Sequence, residues 1–548
     1  MRPFTHVRNQ VVSGAQSWDE ALHKHEWAVP ERYNITADIV DSWANSPQHE
    51  ARAALAVLDA DGDLVTVSWS KLSELTQRFG NGLTTRLGVG RRDVVSIILT
   101  QSIEGAVAQL ATYRIGAIAC PISHLYAGDA LIWRLQHSET RVVVTDARGA
   151  EAIAASRAAL PDLRHIVVVG ESPLDDAIDF WEVAEQSPAS CVPVDTLADD
   201  PALLIYTSGT TGNPKGVLHG HRVALGHANV SYLLEGIDET DIYWSPNDWS
   251  WIAGVGNGLL APLGFGATVL SAGGRQFDPR ESAQFIDRYR PTVGYLPVSG
   301  MRLMRQAGAA VTHKYRAILT GGEVLSDDLR DWCLANVTDT INNGFGQTEG
   351  NDTLGVVTAW ERPAPETVGR VLPGHEAIVV DADGQEVPDG VEGELLLRED
   401  GRPVFLLEYF KDPQATEQVK AGGWIHTGDT VSRDSLGYFH FAGRGDDVIK
   451  SSGYRIGPSE IETVVDSHPD VLECVVVGLP DAERGQIVTA VVRLRPDAQE
   501  EIVRQQLIDM TRSRIGKHAY VRRIEVLDEF PKTVTGKLQR SVVRKLFG

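Results

Sequence analysis

From Asp93 onward the chain alternates short runs of β-branched residues with stretches of helical period: DVVSIILTQ, EGAVAQLATYRIGA, IACPIS, an amphipathic DALIWRLQH, then RVVVTD and RHIVVVGE. Strand-length apolar runs separated by helix-length segments predict parallel strands covered by helices. A second region of this kind extends from about Ala202 to Asn343, with LLIYTS, ATVLSA, TVGYLP and YRAILTGGE as its strands. The rhythm then changes. HEAIVVDADGQEVPDGVEGELLLRE alternates with period two and carries DADG and PDG turns, which predicts antiparallel hairpins and a smaller β lobe. After GRGDDVIK the elements are mixed: a helix-like PSEIETVVDSH, strands CVVVGLP and TAVVRL, a helix EEIVRQQLIDMTRSR and a strand RIEVLDE. The expected fold class is α/β, with a large N-terminal domain (residues 1–443) of two α/β lobes and a small β lobe. A small α+β C-terminal domain (residues 444–548) is expected to follow.

Composition narrows the function. The 548 residues are 43% apolar and 23% charged, enough to bury a large core. A formal net charge of −23 opposes adhesion to nucleic acid or anionic lipid, while leaving room for a local basic pocket that takes a small anion. Cys120, Cys191, Cys333 and Cys474 lie far apart and form no CxxC pair, so neither a disulfide framework nor a zinc knot is expected. The first twenty residues lack the apolar core of a secretory signal, and nowhere do about 18 apolar residues run together. A cytoplasmic protein with reduced thiols and no membrane insertion is expected.

The most informative stretch is LLIYTSGTTGNPKGVLHGHR, Leu203 to Arg222. An apolar strand runs into a hydroxyl- and glycine-rich loop. There the side chains of Thr207, Ser208, Thr210 and Thr211, with the backbone at Gly209 and Gly212, suit an anionic oxygen cluster, and Lys215 adds charge. A plain flexible turn has the same composition. The Walker pattern GxxxxGK[ST] is absent, because Lys215 is followed by Gly216, which disfavours a P-loop kinase or GTPase.

YTSGTTGNPKG resembles the phosphate loop of the adenylate-forming, AMP-binding superfamily, which includes acyl-CoA synthetases, peptide-synthetase adenylation domains and luciferases. Four further motifs follow in the family's order. RAILTGGEVLSDDL resembles the adenine-side segment, with Gly321, Gly322 and Glu323. NNGFGQTEG resembles the next, and implies that Gly344, Phe345, Gly346, Gln347 and Thr348 lie near the nucleotide while Glu349 holds magnesium. GWIHTGDTVSRDSLGYFHFAGRGDDVIKSSGYRIGPSEIE resembles the ribose and hinge region, and PKTVTGKLQR the terminal lysine motif. The likeness runs from about Ala202 to the C-terminus, and the chain is most similar to medium-chain acyl-CoA synthetases.

The resemblance implies an ATP-dependent, AMP-forming acid–CoA ligase that uses ATP, Mg2+, coenzyme A and a small-molecule carboxylic acid. Alternatives on the same scaffold are delivery of the acyl group to a separate carrier protein, or a non-catalytic acyl or nucleotide-binding module. A homodimer is left open. Asp429 suits the ribose, since a carboxylate offers paired acceptors to two hydroxyls; an Asx turn is its bland role. By resemblance Arg444 adds a ribose contact and Arg455 an α-phosphate contact. Lys537 bridges the attacking carboxylate and the α-phosphate, although alone it is one more cation in a basic tail. Asp446 is the hinge about which the mobile C-terminal domain turns. Lys450, Ser452, Gly453 and Tyr454 then approach the nucleotide or the pantetheine arm. Thr207, Glu349, Lys450 and Lys537 are thus the catalytic expectations.

For the acid, the tryptophans of IYWSPNDWSWIAGVGNGLL suit an apolar slot, with Trp251, Ile252 and Ala253 as substrate contacts. The family's acetate-specific members carry bulky residues where this chain has Gly321 and Gly346. That difference implies space for a medium-chain, branched or aryl acid. Asp248 keeps an amino-acid substrate in play.

Overall fold

The computed structural model describes residues 15, 17–172, 174–207, 214–275, 277–323, 325–360, 367–444, 447, 449–451, 454–481, 485–514, 520–532 and 538–548. Two large sheets organise the N-terminal part. In the first, strands Ile118–Pro121, Val94–Ile98, Thr140–Asp146, His165–Val169 and Ile178–Asp179 lie parallel in that spatial order. Pro201–Thr207 continues the parallel set on the other side of Ile118–Pro121, and Lys215–Gly220 and Glu408–Tyr409 extend that edge with antiparallel pairings. The second sheet has nine strands, in the order Arg370–Val371, Asn351–Gly355, Ile341–Gln347, Ala317–Gly321, Val293–Tyr295, Ile242–Trp244, Thr268–Ser271, Ala53–Leu58 and Leu64–Ser68.

Helices Ile103–Arg114 and Val223–Glu235 are buried around nearly their whole circumference. A helix without a wet face belongs in the interior, and both contribute to one hydrophobic core that includes residues from both sheets. Amphipathic helices such as Pro279–Tyr289 and Val298–Ala307 cover the outer face of the second sheet and share a separate core with it.

The two α/β lobes are present, but they are interleaved along the chain rather than consecutive. Strand Pro201–Thr207, expected to open the second lobe, pairs with Ile118–Pro121 of the first sheet. Hairpin Ala53–Leu58 and Leu64–Ser68, upstream of the first lobe, completes the second sheet through parallel pairing of Ala53–Leu58 with Thr268–Ser271. Periodicity reports element type and carries no information about which sheet a strand joins.

The β lobe is a four-stranded antiparallel sheet of Ala377–Val380, Gly393–Arg398, Trp424–Arg433 and Phe439–Arg444, as the alternation predicts. From Ile449 onward the chain has hydrophobic cores of its own around the long hairpin Val471–Asp481 and Gly485–Leu494, flanked by helices Pro458–Asp466, Glu500–Arg514 and Arg540–Phe547. All four cysteines are free. Among the described residues, no helix is long and apolar enough to cross a membrane.

Candidate active site

The strand ends of both sheets, the β lobe and the C-terminal part surround one cleft of about 2110 Å³. That exceeds the ~300–1,000 Å³ of an ordinary small-ligand pocket and accommodates a nucleotide together with a second substrate. Thr207 and Lys215 face each other as antiparallel partners at its edge, and the Thr207 hydroxyl donates to the Lys215 carbonyl at 3.4 Å. The strands on either side of the glycine-rich segment thus pair antiparallel with each other, whereas a Walker loop leads from a strand into a helix. Ser208, Gly209, Thr210, Thr211 and Gly212 lie outside the described residues.

Across the cleft, Gly321 ends strand Ala317–Gly321, and Gly322 turns the chain with φ of 79°, a conformation glycine adopts without strain. Glu323 pairs with Arg302 at 3.6 Å. Strand Ile341–Gln347 delivers Gly344, Phe345, Gly346 and Gln347 to the cleft, followed by Thr348 and Glu349. Burial pushes His219 down to about 3, so its imidazole is neutral. Its Nε2–H donates to the Thr348 carbonyl at 2.8 Å, a contact that pins this turn from beneath.

Glu349 does not stand alone. Tyr409 donates its hydroxyl to Glu349 Oε1 at 2.7 Å, and the Lys215 ammonium sits 4.7 Å from the centre of the same ring. Burial and the Glu349 charge both hold the Tyr409 phenol far above its ordinary range, so it remains a donor. Lys215, Tyr409 and Glu349 thus form a cation–aromatic–carboxylate stack that aims one carboxylate oxygen and leaves the other for a ligand. Tyr409 was not legible in the sequence: it is sixty residues beyond Glu349, on a two-residue strand without a motif.

The β lobe supplies Asp429 and Arg444, which are register partners on adjacent antiparallel strands and form an ion pair at 3.2 Å. Asp429 is buried while Arg444 is 42% exposed, so the guanidinium is the member of the pair nearer solvent. Phe441, on the same strand as Arg444, packs against Phe345 with ring centres 6.1 Å apart, and both rings line the cleft. Lys450 and Arg455 are paired on the short strands Ile449–Ser451 and Tyr454–Ile456, the second of which begins at Tyr454. Asp446, Ser452, Gly453 and Lys537 lie outside the described residues. Leu538, Gln539 and Arg540, immediately after Lys537, line the cleft, and Lys532 bridges to Leu538 across the intervening segment.

The neighbouring cations are occupied. Arg540 binds Asp447 at 2.9 Å and Glu462 at 2.6 Å, Arg544 binds Asp447 at 3.0 Å, and Lys532 pairs with Glu473. Arg302 reaches Asp466 of the C-terminal part at 3.9 Å, and Gln306 donates to the Leu472 carbonyl at 3.3 Å. These contacts dock the C-terminal part against helix Val298–Ala307.

Trp251, Ile252 and Ala253 line the cleft, as does Trp244, whereas Trp249 is buried in the main core. Asp248 also lines the cleft, with its oxygens already engaged by its own loop and by the segment at Ser123. It accepts from the Ser123 hydroxyl at 3.1 Å and the Ser250 amide at 3.0 Å, with His124 at 3.6 Å. The reading of Gly321 and Gly346 as spare room for substrate needs correction. A Cβ on Gly321 would lie 2.4 Å from the Gly344 carbonyl oxygen, and one on Gly346 would lie 2.0 Å from that of Asn351. Close backbone approach within the sheet requires both glycines, and backbone fills the space their side chains lack.

Comparison with known proteins accords with this geometry. The AMP-binding enzyme family matches residues 41–405, and the AMP-binding enzyme C-terminal domain matches residues 460–537. The acetyl-coenzyme A synthetase of Bacillus subtilis (strain 168) is 32% identical, over 96% of this chain and 93% of that protein. The mouse mitochondrial acyl-coenzyme A synthetase ACSM4 is 30% identical, over 96% of this chain and 92% of that one. The crystal structure of the anthranilate CoA ligase AuaEII in complex with anthranoyl-AMP superposes with a TM-score of 0.86 at 28% identity, covering 94% of this chain and 98% of that one. A benzoate CoA ligase from Burkholderia xenovorans LB400 gives 0.82 at 26%, covering 93% and 100%. Motifs, fold and relatives agree: this chain belongs to the AMP-binding enzyme family and is an acid–CoA ligase of the AMP-forming type.

Proposed function

We propose that the cleft activates a carboxylic acid in two steps and that the residues converging on it divide the work. In the first step an oxygen of the acid attacks the α-phosphorus of ATP, the α–β phosphoanhydride bond breaks, and pyrophosphate leaves. In the second, the CoA sulfur attacks the acyl carbon, a C–S bond forms, and AMP departs. Both steps concentrate negative charge on the α-phosphate, so fixed donors and cations are what the protein must supply.

Thr207 and Lys215 serve the phosphates, Gly322, Glu323, Phe345 and Gln347 the base, and Asp429 with Arg444 the ribose. Glu349 fits magnesium: it is a hard carboxylate at the phosphate end, held by Tyr409 with one oxygen to spare. Among the described residues no group of three or more acidic, histidine or cysteine side chains gathers into a cage, which suits an ion shared with substrate phosphates. An ion held there would supply positive charge to the departing pyrophosphate. Lys537 serves the first step at the α-phosphate. Rotation at Asp446 then brings Lys450, Ser452, Gly453, Tyr454 and Arg455 to the cleft for the second. The domain boundary after Gly443 is supported by the separate hydrophobic cores that begin at Ile449.

The observation that carries this reading is the convergence on one cleft of Thr207 and Lys215, Gly321 to Glu323, Gly344 to Glu349, and Asp429 with Arg444, with residues 538–540 at its rim. Incubation with ATP, magnesium and a panel of acids should release pyrophosphate before CoA is added, and CoA should then yield thioester without any carrier protein. Release of ADP and orthophosphate, or thioester formation only on a carrier protein, would defeat it.

A further inference from the structure

The end of the cleft near Trp251 and Gly344 is not purely apolar. Asp352, three residues past Glu349, projects from strand Asn351–Gly355 directly opposite Gly346, and its Oδ1 lies 3.3 Å from where a Cβ on Gly344 would stand. It sits deep in the protein yet keeps access to the cleft, which it lines. A single hydrogen bond reaches it, from Asn257 Nδ2 to Oδ2 at 3.2 Å, and no lysine or arginine pairs with it among the described residues.

Asn257 is itself oriented. Its amide nitrogen points at Asp352, so its oxygen faces His227 Nδ1 at 2.6 Å, and that imidazole nitrogen must carry the proton. Burial holds His227 down to about 4, leaving the ring neutral, with its Nε2 edge packed against Gly256 and the side chain of Asn351 beside it. His227, 1% exposed, also lines the cleft. The Asn257 amide, fixed by His227, therefore spends its donor on Asp352 Oδ2 and leaves Asp352 Oδ1 as the acceptor without a hydrogen bond among the described residues.

A carboxylate in such surroundings is costly unless something donates to it, and an apolar side chain of similar size would cost the fold nothing. The partner has to come from the cleft. Tyr295 and Glu235 are the ionisable groups that feel its charge; burial keeps both protonated, holding Glu235 up to about 8, and among the described residues neither hydrogen-bonds to Asp352.

We propose that Asp352, oriented by Asn257 and His227, selects the acid: the physiological substrate carries a hydrogen-bond-donating substituent, an amino or hydroxyl group, remote from its carboxylate. This inference rests on the ligase reading of the cleft. It departs from a purely hydrocarbon medium-chain, branched or aryl acid, since a pocket built to receive a donor discriminates strongly against the analogue that lacks it.

The test is ATP–pyrophosphate exchange with benzoates bearing methyl, hydroxyl or amino groups at each ring position, and with C4–C8 fatty acids with and without a terminal hydroxyl or amino group. At least one donor-bearing acid should exceed its methyl counterpart in kcat/KM by about 100-fold or more. Asp352→Leu should reverse that preference. Asp352→Asn, nearly isosteric and checked for folding by thermal melting, should retain hydroxyl acids and lose amino acids if the native donor is an ammonium. It should weaken both equally if the donor is neutral. Methyl acids preferred or equal in the native protein would overturn the inference while leaving the ligase reading intact. Exchange with no acid at all would overturn both.

Discussion

Replacing Tyr409 with phenylalanine removes one oxygen atom and little else, and the structure fixes what should follow. The ring stays beneath the Lys215 ammonium, so the contact at 4.7 Å is retained, while Glu349 loses its only side-chain donor among the described residues, at 2.7 Å. A hydrogen bond to a charged group contributes about 1.5–3 kcal/mol. If that orientation is needed only when Glu349 holds magnesium on the nucleotide, the adenylation rate should fall by roughly 10- to 150-fold, at about 1.4 kcal/mol per decade. The assay is pre-steady-state pyrophosphate release at a series of magnesium concentrations. We expect a lower rate with its half-saturation moved to higher magnesium, and CoA attack on a supplied acyl-adenylate changed by less than about twofold. Equal loss in both half-reactions, or an unchanged magnesium profile, would refute the assignment of Tyr409 as the group that positions Glu349.

Gly321→Val should not merely narrow the acyl pocket. A Cβ there lies 2.4 Å from a backbone oxygen, so activity toward short and long acids alike should collapse together with thermal stability; selective loss of long acids would contradict the backbone argument. Asp429→Asn removes charge and one paired acceptor at the ribose position and should raise the KM for ATP by about tenfold or more with little change in the KM for the acid. Equal changes in both constants would show that Asp429 has a structural role. Burial holds the Glu235 carboxyl up to about 8, against 4.5 when exposed. The folded state therefore binds the extra proton, and this group's contribution to stability falls as pH rises from about 4.5 to 8, then levels off. Glu235→Gln should flatten urea-denaturation midpoints over that window, with a difference on the order of a few kcal/mol at its upper end. Parallel curves would contradict the shift.

Much of this architecture can be read from the chain itself. Period-two and helical-period segments identify the elements, and the expected strand at LLIYTS is found as Pro201–Thr207. What escapes is contact across the sequence. Tyr409 reaches Glu349 from sixty residues away, and Asn257 reaches Asp352 from ninety-five. No local pattern encodes such distances. Gly321 and Gly346 mislead for a related reason: a missing side chain reads as empty space until the facing backbone is seen to occupy it. Asp248 was the acidic residue that the pattern offered for a polar substrate group; it lines the cleft but already accepts from Ser123 and Ser250, whereas Asp352, also in the lining, accepts only from Asn257 among the described residues.

The central claim is that one cleft performs two half-reactions and that the lysine after Gly536 serves the first alone. Lys537→Ala, given a synthetic acyl-adenylate and CoA in a single turnover, should form thioester within about twofold of the native rate, while its adenylation from ATP and free acid drops by 100-fold or more. Comparable loss in both reactions would contradict the account.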